Sequence, residues 1–303
     1  MNKEQIKGNL LLLLTALIWG SAFVAQSVGM EYVGIFTFSA ARSFIAFLVL
    51  IPASLVSLRL SGQAGAFKGE AGRANRRLLL KSGLLCGLAL AAASIVQQAG
   101  IAQTTVGKAG FITALYIIII PVAGIFFGKR PRPLVWLAVA VALAGMYMLC
   151  ITGELSVGAG DLLILLCSFL FAVHIMLVDR FAGQIDGVLL SCVQFFVAGC
   201  VGLALTLLFE EPSLSALAGA SGSLLYAGVL SSGVAYTLQI LGQKRTGPVA
   251  ASIIMSLESV FAALSGWLLL GQTLSLRELL GCALMFAAII MAQLPGRSPA
   301  KSR

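Results

Sequence analysis

Ten long apolar segments separated by short polar loops constrain the fold of this chain more than any other feature. They span about 9–28, 35–57, 78–99, 107–128, 133–151, 161–178, 187–209, 222–243, 248–270 and 277–294. A helix of about 20 apolar residues crosses the roughly 30 Å hydrocarbon layer of a bilayer. The segments are continuously apolar rather than alternating, which favours helices over the strands of a barrel. The sequence therefore predicts an all-α integral membrane protein with ten transmembrane helices.

The composition excludes most classes of soluble protein. Only 10% of the 303 residues are charged and 59% are apolar, whereas soluble domains contain about 25% charged residues. A net charge of +9 would suggest a nucleic-acid partner in a soluble chain. No interleaving of basic and aromatic residues accompanies that charge, so the lipid bilayer is the expected partner and nucleic acid is not.

The positions of the Lys and Arg residues orient the predicted helices. When the loops are assigned alternately to two sides, nearly all of these cations fall on the side that holds the N-terminus. Only Lys108 and Arg277 fall on the other side, and Arg42 lies within a helix. Cytoplasmic loops are enriched in Lys and Arg. We therefore expect a multi-pass protein of the cell membrane with both chain ends in the cytoplasm.

Weak self-similarity divides the chain into two parts, 1–151 and 160–303. An offset of 152 aligns residues 8–12 with 160–164, and an offset of 141 aligns Gln98 with Gln239. Each part would contain five helices, and because five is odd, the second part would enter the membrane from the opposite side. Inverted repeats of this kind are typical of secondary transporters, whose substrate site lies near the midplane between the repeats.

Several motifs resemble those of EamA-type proteins of the drug/metabolite transporter superfamily. Residues 19–23, Trp-Gly-Ser-Ala-Phe, are similar to a motif of the family's first helix, and Arg42 resembles an Arg of its second helix. Residues 160–163, Gly-Asp-Leu-Leu, resemble the start of its second repeat. Residues 257–261, Leu-Glu-Ser-Val-Phe, resemble the Leu-Glu-Pro-Val-Phe of its ninth helix.

This resemblance covers nearly the whole chain and implies a ten-helix permease that moves small metabolites, often outward. The sequence departs from the family pattern at three positions. Ser259 replaces a Pro, and Lys129 and Gln272 each replace a Glu that follows a Gly. Lys129 and Gln272 lie at predicted helix ends, so these departures are expected to leave the fold unchanged.

Three ionisable side chains fall deep within predicted helices, where such groups usually face a cavity or a partner. The guanidinium of Arg42 could grip a substrate carboxylate. Glu258 could bind a substrate amine or carry a coupling proton, because burial disfavours the charged form of a carboxyl group. The structural alternative is an ion pair between Arg42 and Glu258 that holds two helices together. His174 is either a proton relay or a hydrogen-bonded packing residue.

Five further residues are candidates for the transport route. Trp19, Tyr116 and Tyr236 lie away from the outermost helical turns, so each either walls a pocket or packs in the core. Ser21 and Gln98 either line the route or join helices through hydrogen bonds.

The backbone pattern makes one more prediction. Pro121 lies inside the fourth apolar segment and predicts a kink there, because proline cannot donate a helical hydrogen bond.

Enzymatic alternatives find little support in the sequence. Residues 219–222 match the Gly-x-Ser-Gly of membrane serine proteases, but His174, the only His, lies near the other side of the membrane. Residues 158–161 match the Gly-x-Gly-Asp of membrane aspartyl proteases, but no second Asp lies within a helix. The six cysteines are scattered through apolar segments, so neither a metal site nor any other cofactor is expected.

The sequence thus predicts a secondary transporter that moves small organic metabolites by alternating access. Export of amino acids or similar amphiphilic compounds is the leading hypothesis, with protons as a candidate coupling ion. A facilitated exchanger and a channel-like pore for uncharged solutes stay as alternatives. Assembly into a homodimer is left open.

Overall fold

A computed structural model describes residues 3–63, 65–67, 69–70, 72–104, 106–128, 131–151, 158–270 and 275–294, which form helices and turns without any strand. The first helices are α1 (Lys3–Gly29), α2 (Ile35–Leu60), α3 (Arg73–Ile101), α4 (Val106–Thr113), α5 (Tyr116–Phe126), α6 (Pro133–Cys150), α7 (Ala159–Phe181) and α8 (Gly187–Phe209). They are followed by α9 (Leu214–Gly219), α10 (Ser221–Leu225), a π-helical stretch (Tyr226–Ala235), α11 (Tyr236–Thr246), α12 (Pro248–Met255), α13 (Glu258–Leu270) and α14 (Leu276–Gln293).

Eight helical segments within the described ranges are long and apolar enough to cross a membrane. They are Lys3–Gly29, Ile35–Leu60, Arg73–Ile101, Ala109–Phe126, Ala159–Phe181, Gly187–Phe209, Ser221–Thr246 and Pro248–Ser265. Pro133–Met148 is a shorter apolar helix. The chain is therefore an all-helical, multi-pass membrane protein, and the count of ten crossings stays a prediction.

The fourth apolar segment is interrupted at a place that the sequence analysis did not predict, and the kink at Pro121 stays a prediction. Pro121 lies inside α5, and the interruption is at Ala114 and Leu115, between α4 and α5. There the backbone N–H of Ile117 donates to the carbonyl of Ala114 at 3.0 Å, a tighter turn than that of an α-helix. Since Pro121 cannot donate to the carbonyl of Ile117, the segment lacks one helical bond in the turn after the interruption.

Hydrogen bonds between helix ends define one face of the molecule. Arg245, in the last turn of α11, donates to Glu4 at the start of α1 at 3.0 Å. Ser57, near the end of α2, donates to Asp186 at 2.7 Å, and Asp186 caps the start of α8. Most described cations lie at or near helix ends on this side, which is called the basic face below: Lys3, Lys7, Arg59, Arg73, Arg76, Arg77, Arg180, Lys244 and Arg245.

Other hydrogen bonds define the opposite face. Glu210, directly after α8, accepts from the backbone N–H groups of Phe36 and Thr37 at 2.9 and 2.7 Å, at the start of α2. Thr104, after the end of α3, donates to Asp161 in the first turn of α7. The ends of α3 and α8 therefore lie on the same face as the starts of α2 and α7.

Glycines allow close helix contacts in two similar places. A Cβ built on Gly242 of α11 would lie 2.9 Å from the carbonyl oxygen of Gly8 on α1. A Cβ built on Gly100 of α3 would lie 3.1 Å from the carbonyl oxygen of Gly160 on α7. Small residues let helix backbones approach in membranes, where packing is a main source of association.

Two further glycines make a second matched pair of contacts. A Cβ on Gly87 of α3 would lie 2.6 Å from the Cβ of Val197 on α8. A Cβ on Gly228 of the π-helical stretch would lie 2.6 Å from the Cβ of Ile45 on α2. These contacts bring α2, α3, α8 and the π-helical stretch together.

Candidate functional site

A small cavity lies among helices from both the N-terminal and the C-terminal parts of the chain. Its lining residues are Trp19, Phe23, Gln26, Arg42, Gln97, Thr113, Tyr116, Phe171, Ile175, Ser231, Tyr236, Gln239 and Glu258. Its volume of about 30 Å³ could hold a water molecule. Pockets for small organic ligands usually have volumes of roughly 300–1,000 Å³. The lining must therefore move apart before a metabolite can bind, and we refer to this cavity as the central pocket.

Arg42 lines the central pocket from α2 and is only 5% exposed. Its Nη1 donates to Oε1 of Gln26 on α1 at 3.0 Å. Its Cζ lies 5.9 Å from the ring centroid of Phe38, at the outer limit of a cation–π contact. Both partners are uncharged, so they satisfy the geometry of the guanidinium without neutralising its charge.

Glu258 lines the pocket from the first turn of α13 and is only 4% exposed. It is the first residue of α13, directly after the interruption between α12 and α13. Its Oε1 accepts a hydrogen bond from the hydroxyl of Tyr116 at 3.3 Å. Tyr116 is itself the first residue of α5.

The ion pair between Arg42 and Glu258, offered above as a structural alternative, is not formed. Of these two described residues, neither bonds the other: Arg42 is bonded to Gln26 and Glu258 to Tyr116. An arginine and a glutamate side chain thus line one cavity with separate uncharged partners.

Aromatic side chains form one wall of the pocket. The rings of Trp19 and Tyr236 have centroids 4.7 Å apart. The indole N–H of Trp19 donates to the carbonyl oxygen of Ser231 at 3.1 Å. Ser231 belongs to the π-helical stretch, a conformation that often occurs at functional sites.

His174 does not line the central pocket but lies behind this wall. It is fully buried, and its ring meets the ring of Tyr236 edge-on with centroids 5.9 Å apart. Its Nε2 shares a hydrogen bond with Oε1 of Gln194 at 3.1 Å. This is the environment of a hydrogen-bonded packing residue, and the proton relay stays a prediction.

Two other candidates also lie outside the pocket lining. The hydroxyl of Ser21 shares a hydrogen bond with the hydroxyl of Tyr226 at 2.5 Å. Gln98 is buried, and its Nε2 donates to the carbonyl of Gln26 at 3.5 Å. Both side chains join helices. Of the eight predicted residues, five line the pocket: Trp19, Arg42, Tyr116, Tyr236 and Glu258.

Four polar lining residues were not predicted from the sequence. They are Gln26, Gln97, Thr113 and Ser231. An amide side chain in an apolar helix indicates a polar contact. When the rest of the helix is apolar on every face, however, the sequence does not show which face points towards the pocket. Within the described part of the chain, no group of three His, Cys, Asp or Glu residues is placed to hold a metal ion.

Comparisons with known proteins agree with this architecture. The sequence profile of the EamA-like transporter family matches residues 6–151 and again residues 158–293. The chain belongs to the EamA-like transporter family. The family membership that its motifs predicted is thus confirmed.

Individual relatives of this EamA-like protein are also named as transporters. An uncharacterized transporter of Archaeoglobus fulgidus is 27% identical over 300 residues, which cover 96% of this chain and 87% of the relative. The uncharacterized inner membrane transporter YedA of Escherichia coli (strain K12) is 27% identical over 287 residues, which cover 92% and 88%. One crystal structure of another protein shares the fold, with a TM-score of 0.74, 18% identity and coverage of 94% and 96%. The family and these relatives indicate a membrane transporter.

Proposed function

We propose that this EamA-like protein is a secondary carrier that moves small organic metabolites across the cell membrane by alternating access. The carrying observation is that Arg42 and Glu258 line one buried cavity without bonding each other. Charged side chains within a membrane usually pair or serve a substrate or ion. A zwitterion offers a carboxylate to Arg42 and an ammonium group to Glu258. Amino acids and similar amphiphilic compounds, moved outward, are therefore the leading substrates.

We infer that the carrier consists of two inverted five-helix repeats, 1–151 and 160–303. The strongest support comes from the two interrupted helices. An offset of 142 takes α4 (Val106–Thr113) onto α12 (Pro248–Met255), so that both have 8 residues. The same offset takes the first residue of α5 onto the first residue of α13. Two unrelated helices have no reason to be interrupted after the same number of residues.

The close glycine contacts support the same inference. An offset of 152 takes Gly8 onto Gly160, and an offset of 142 takes Gly100 onto Gly242, so the two contacts exchange. In the second pair of contacts, Ile45 and Val197 are 152 residues apart. The same offset relates Gly8 of α1 to Gly160 of α7. Inverted repeats place the substrate site between them, where the central pocket lies.

The basic face is proposed to be the cytoplasmic face. Its helix ends carry Arg59, Arg180 and Arg245, among others, and cytoplasmic ends of membrane helices are enriched in such residues. With ten crossings, both chain ends would lie in the cytoplasm. Tags on the two ends of the chain, probed in intact cells, test this. Tags found on different sides would contradict the inverted repeat.

Counterflow in proteoliposomes tests the proposed function. Purified protein is reconstituted with a panel of amino acids, monocarboxylates and monoamines, and uptake is measured against an excess of the same compound inside. A carrier gives saturable counterflow, greatest for a zwitterion. A non-saturating conductance would favour the channel-like pore, and absence of uptake for every zwitterion would contradict the substrate class.

A pH gradient across the same vesicles tests the coupling ion. If protons are coupled, the gradient drives accumulation of the substrate above its external concentration, and a protonophore abolishes the accumulation. Equal rates with and without the gradient would identify a facilitated exchanger.

A further inference from the structure

A second and much larger cavity lies between α5, α7 and α12. Its volume of about 830 Å³ falls within the range of pockets that hold small organic ligands. Most of its lining is apolar and includes Ile120, Gly124, Met176, Leu177 and Val249. Methionine adapts its shape to different apolar partners, which suits a surface that receives more than one ligand.

The rim of this cavity is polar and lies at the basic face. Asp179 and Arg180, in the last turn of α7, contribute to it, together with Gln184 in the following loop. Pro248 at the start of α12 lies at the same level, next to the end of α11. The cavity therefore has a charged mouth and an apolar interior.

A thin apolar layer separates the large cavity from the central pocket. Ile120 lines the large cavity and lies one helical turn, about 6 Å, from Tyr116, which lines the central pocket. Ile175 lines the central pocket, and the next residue, Met176, lines the large cavity. Ile120, Ile175 and Tyr116 belong to one core cluster, against which Val249 packs.

Beside the central pocket, α1 packs tightly against α13, because a Cβ built on Gly20 would lie 2.6 Å from both the carbonyl oxygen of Glu258 and the Cβ of Phe261. Towards the large cavity, in contrast, only a layer of single side chains separates the two cavities.

We propose that the large cavity is the access vestibule of the carrier, and that it binds the apolar part of an amphiphilic substrate. Ile120 and Ile175 form the gate between this vestibule and the central pocket. The substrate enters from the basic face, and its charged groups reach Arg42 and Glu258 when the gate opens. This inference rests on the proposed carrier function. It is tested separately from that function, by the access of a water-soluble reagent to position 176 and by the effect of the apolar chain length of a ligand.

Cysteine labelling tests whether the vestibule is open to water. Met176→Cys is made in a chain whose Cys150, Cys200 and Cys282 are replaced by Ser, because the other three cysteines, Cys86, Cys167 and Cys192, are buried. A charged, membrane-impermeant methanethiosulfonate is added to vesicles with either face outward. We expect Met176→Cys to react only when the basic face is outward.

Three control variants calibrate the labelling. Arg180→Cys at the rim must react from the basic face, and Tyr32→Cys, exposed at the opposite face, must react only from the other side. Leu166→Cys, exposed on the membrane-facing surface of α7, should not react with a charged reagent. If Met176→Cys stays unlabelled from the basic face while Arg180→Cys reacts, the vestibule is overturned, even if the unmodified protein transports.

A homologous series of ligands tests the proposed chemistry. Glycine, alanine, norvaline, norleucine and 2-aminooctanoate are compared as protectants of Met176→Cys against labelling. Burial of each added methylene should lower the half-protecting concentration by about fourfold, which corresponds to about 0.8 kcal/mol per CH₂. Protection that does not depend on chain length would overturn the vestibule as an apolar binding site.

The gate is tested by enlarging one of its side chains. Ile120→Trp should reduce counterflow at least tenfold while Met176→Cys stays reactive from the basic face, because the block lies beyond the vestibule. Leu166→Trp, on the same helix as Met176 but facing lipid, is the matched control and should transport normally. Normal counterflow by a folded Ile120→Trp protein would contradict the assignment of the gate.

Discussion

Tyr116 and Glu258 occupy equivalent places in two interrupted helices and bond each other. Each is the first residue after its interruption, at the start of α5 and of α13, and the offset of 142 that superposes these helices takes Tyr116 onto Glu258. The hydroxyl of Tyr116 donates to the carboxylate at 3.3 Å. In an inverted repeat, equivalent residues that meet each other lie at the pseudo-twofold axis. The proposed repeat therefore has a phenol and a carboxylate at its centre.

Tyr116→Phe tests the importance of this contact for transport. It removes the donor to Glu258 and leaves the ring in place. Hydrogen bonds to charged groups contribute about 1.5–3 kcal/mol, so counterflow of a zwitterion should lose roughly tenfold or more in kcat/KM. Tyr32→Phe, at a half-exposed position on the opposite face, is the matched control. Wild-type kinetics for Tyr116→Phe would show that the contact only packs two helices.

Neutralising each charge in the central pocket should change selectivity in opposite directions. Glu258→Gln removes the negative charge, so zwitterion transport should fall at least tenfold while competition by monocarboxylates rises relative to monoamines. Arg42→Gln should give the reverse order, because the ammonium partner is retained. Competition against wild-type counterflow measures both. Full activity of both variants with unchanged selectivity would remove these two residues from the site.

Helix positions were largely predictable because apolar length is read directly from the sequence. The predicted segment 187–209 coincides with α8, and 35–57 ends only three residues before α2 does. Which face of each helix points towards the pocket was not predictable from the sequence. Gln97 rather than Gln98 lines the pocket, because α3 is apolar on every side in its membrane-spanning part.

The π-helical stretch shows a further limit of sequence analysis. Gly87 and Gly228 are 141 residues apart, whereas Gly100 and Gly242 are 142 apart, so the proposed second repeat has one extra residue between its glycine contacts. The π-helical turns of Tyr226–Ala235 overlap that interval and accommodate the extra residue, so that the equivalent of Gln239 is Gln97, which also lines the central pocket, and not Gln98. A difference of one residue is invisible in an alignment as weak as this one until both contacts are known.

Glycine contacts between helices should be required for stability. Gly228→Ala places a methyl group 2.6 Å from the Cβ of Ile45, and Gly87→Ala places one at the same distance from the Cβ of Val197. Both variants should lower the melting temperature in detergent, because the helices must separate. Gly222→Ala is the matched control, since no atom lies within 4 Å of its added Cβ and alanine is the better helix former. A melting temperature for Gly228→Ala equal to that of Gly222→Ala would contradict the close contact.

Glu210 should stabilise the fold by capping α2 from the end of α8. Its carboxylate accepts from the backbone N–H groups of Phe36 and Thr37 and also from the hydroxyl of Thr37 at 2.6 Å. Loss of a helix cap costs about 0.5–2 kcal/mol, so Glu210→Ala should unfold at a lower denaturant concentration. Glu211→Ala, at the next and exposed position, is the matched control and should behave as wild type.

Gly34 provides an independent check of the same cap. A Cβ on Gly34 would collide with the carboxyl group of Glu210, so Gly34→Ala should displace the cap. Because both substitutions remove one interaction, the double variant Gly34→Ala, Glu210→Ala should be little less stable than Glu210→Ala alone. Chemical unfolding of the four proteins in detergent gives the coupling. Strictly additive losses of stability would show that Gly34 and Glu210 act separately. The position of the Glu210 carboxylate would then not require a residue without a side chain at position 34.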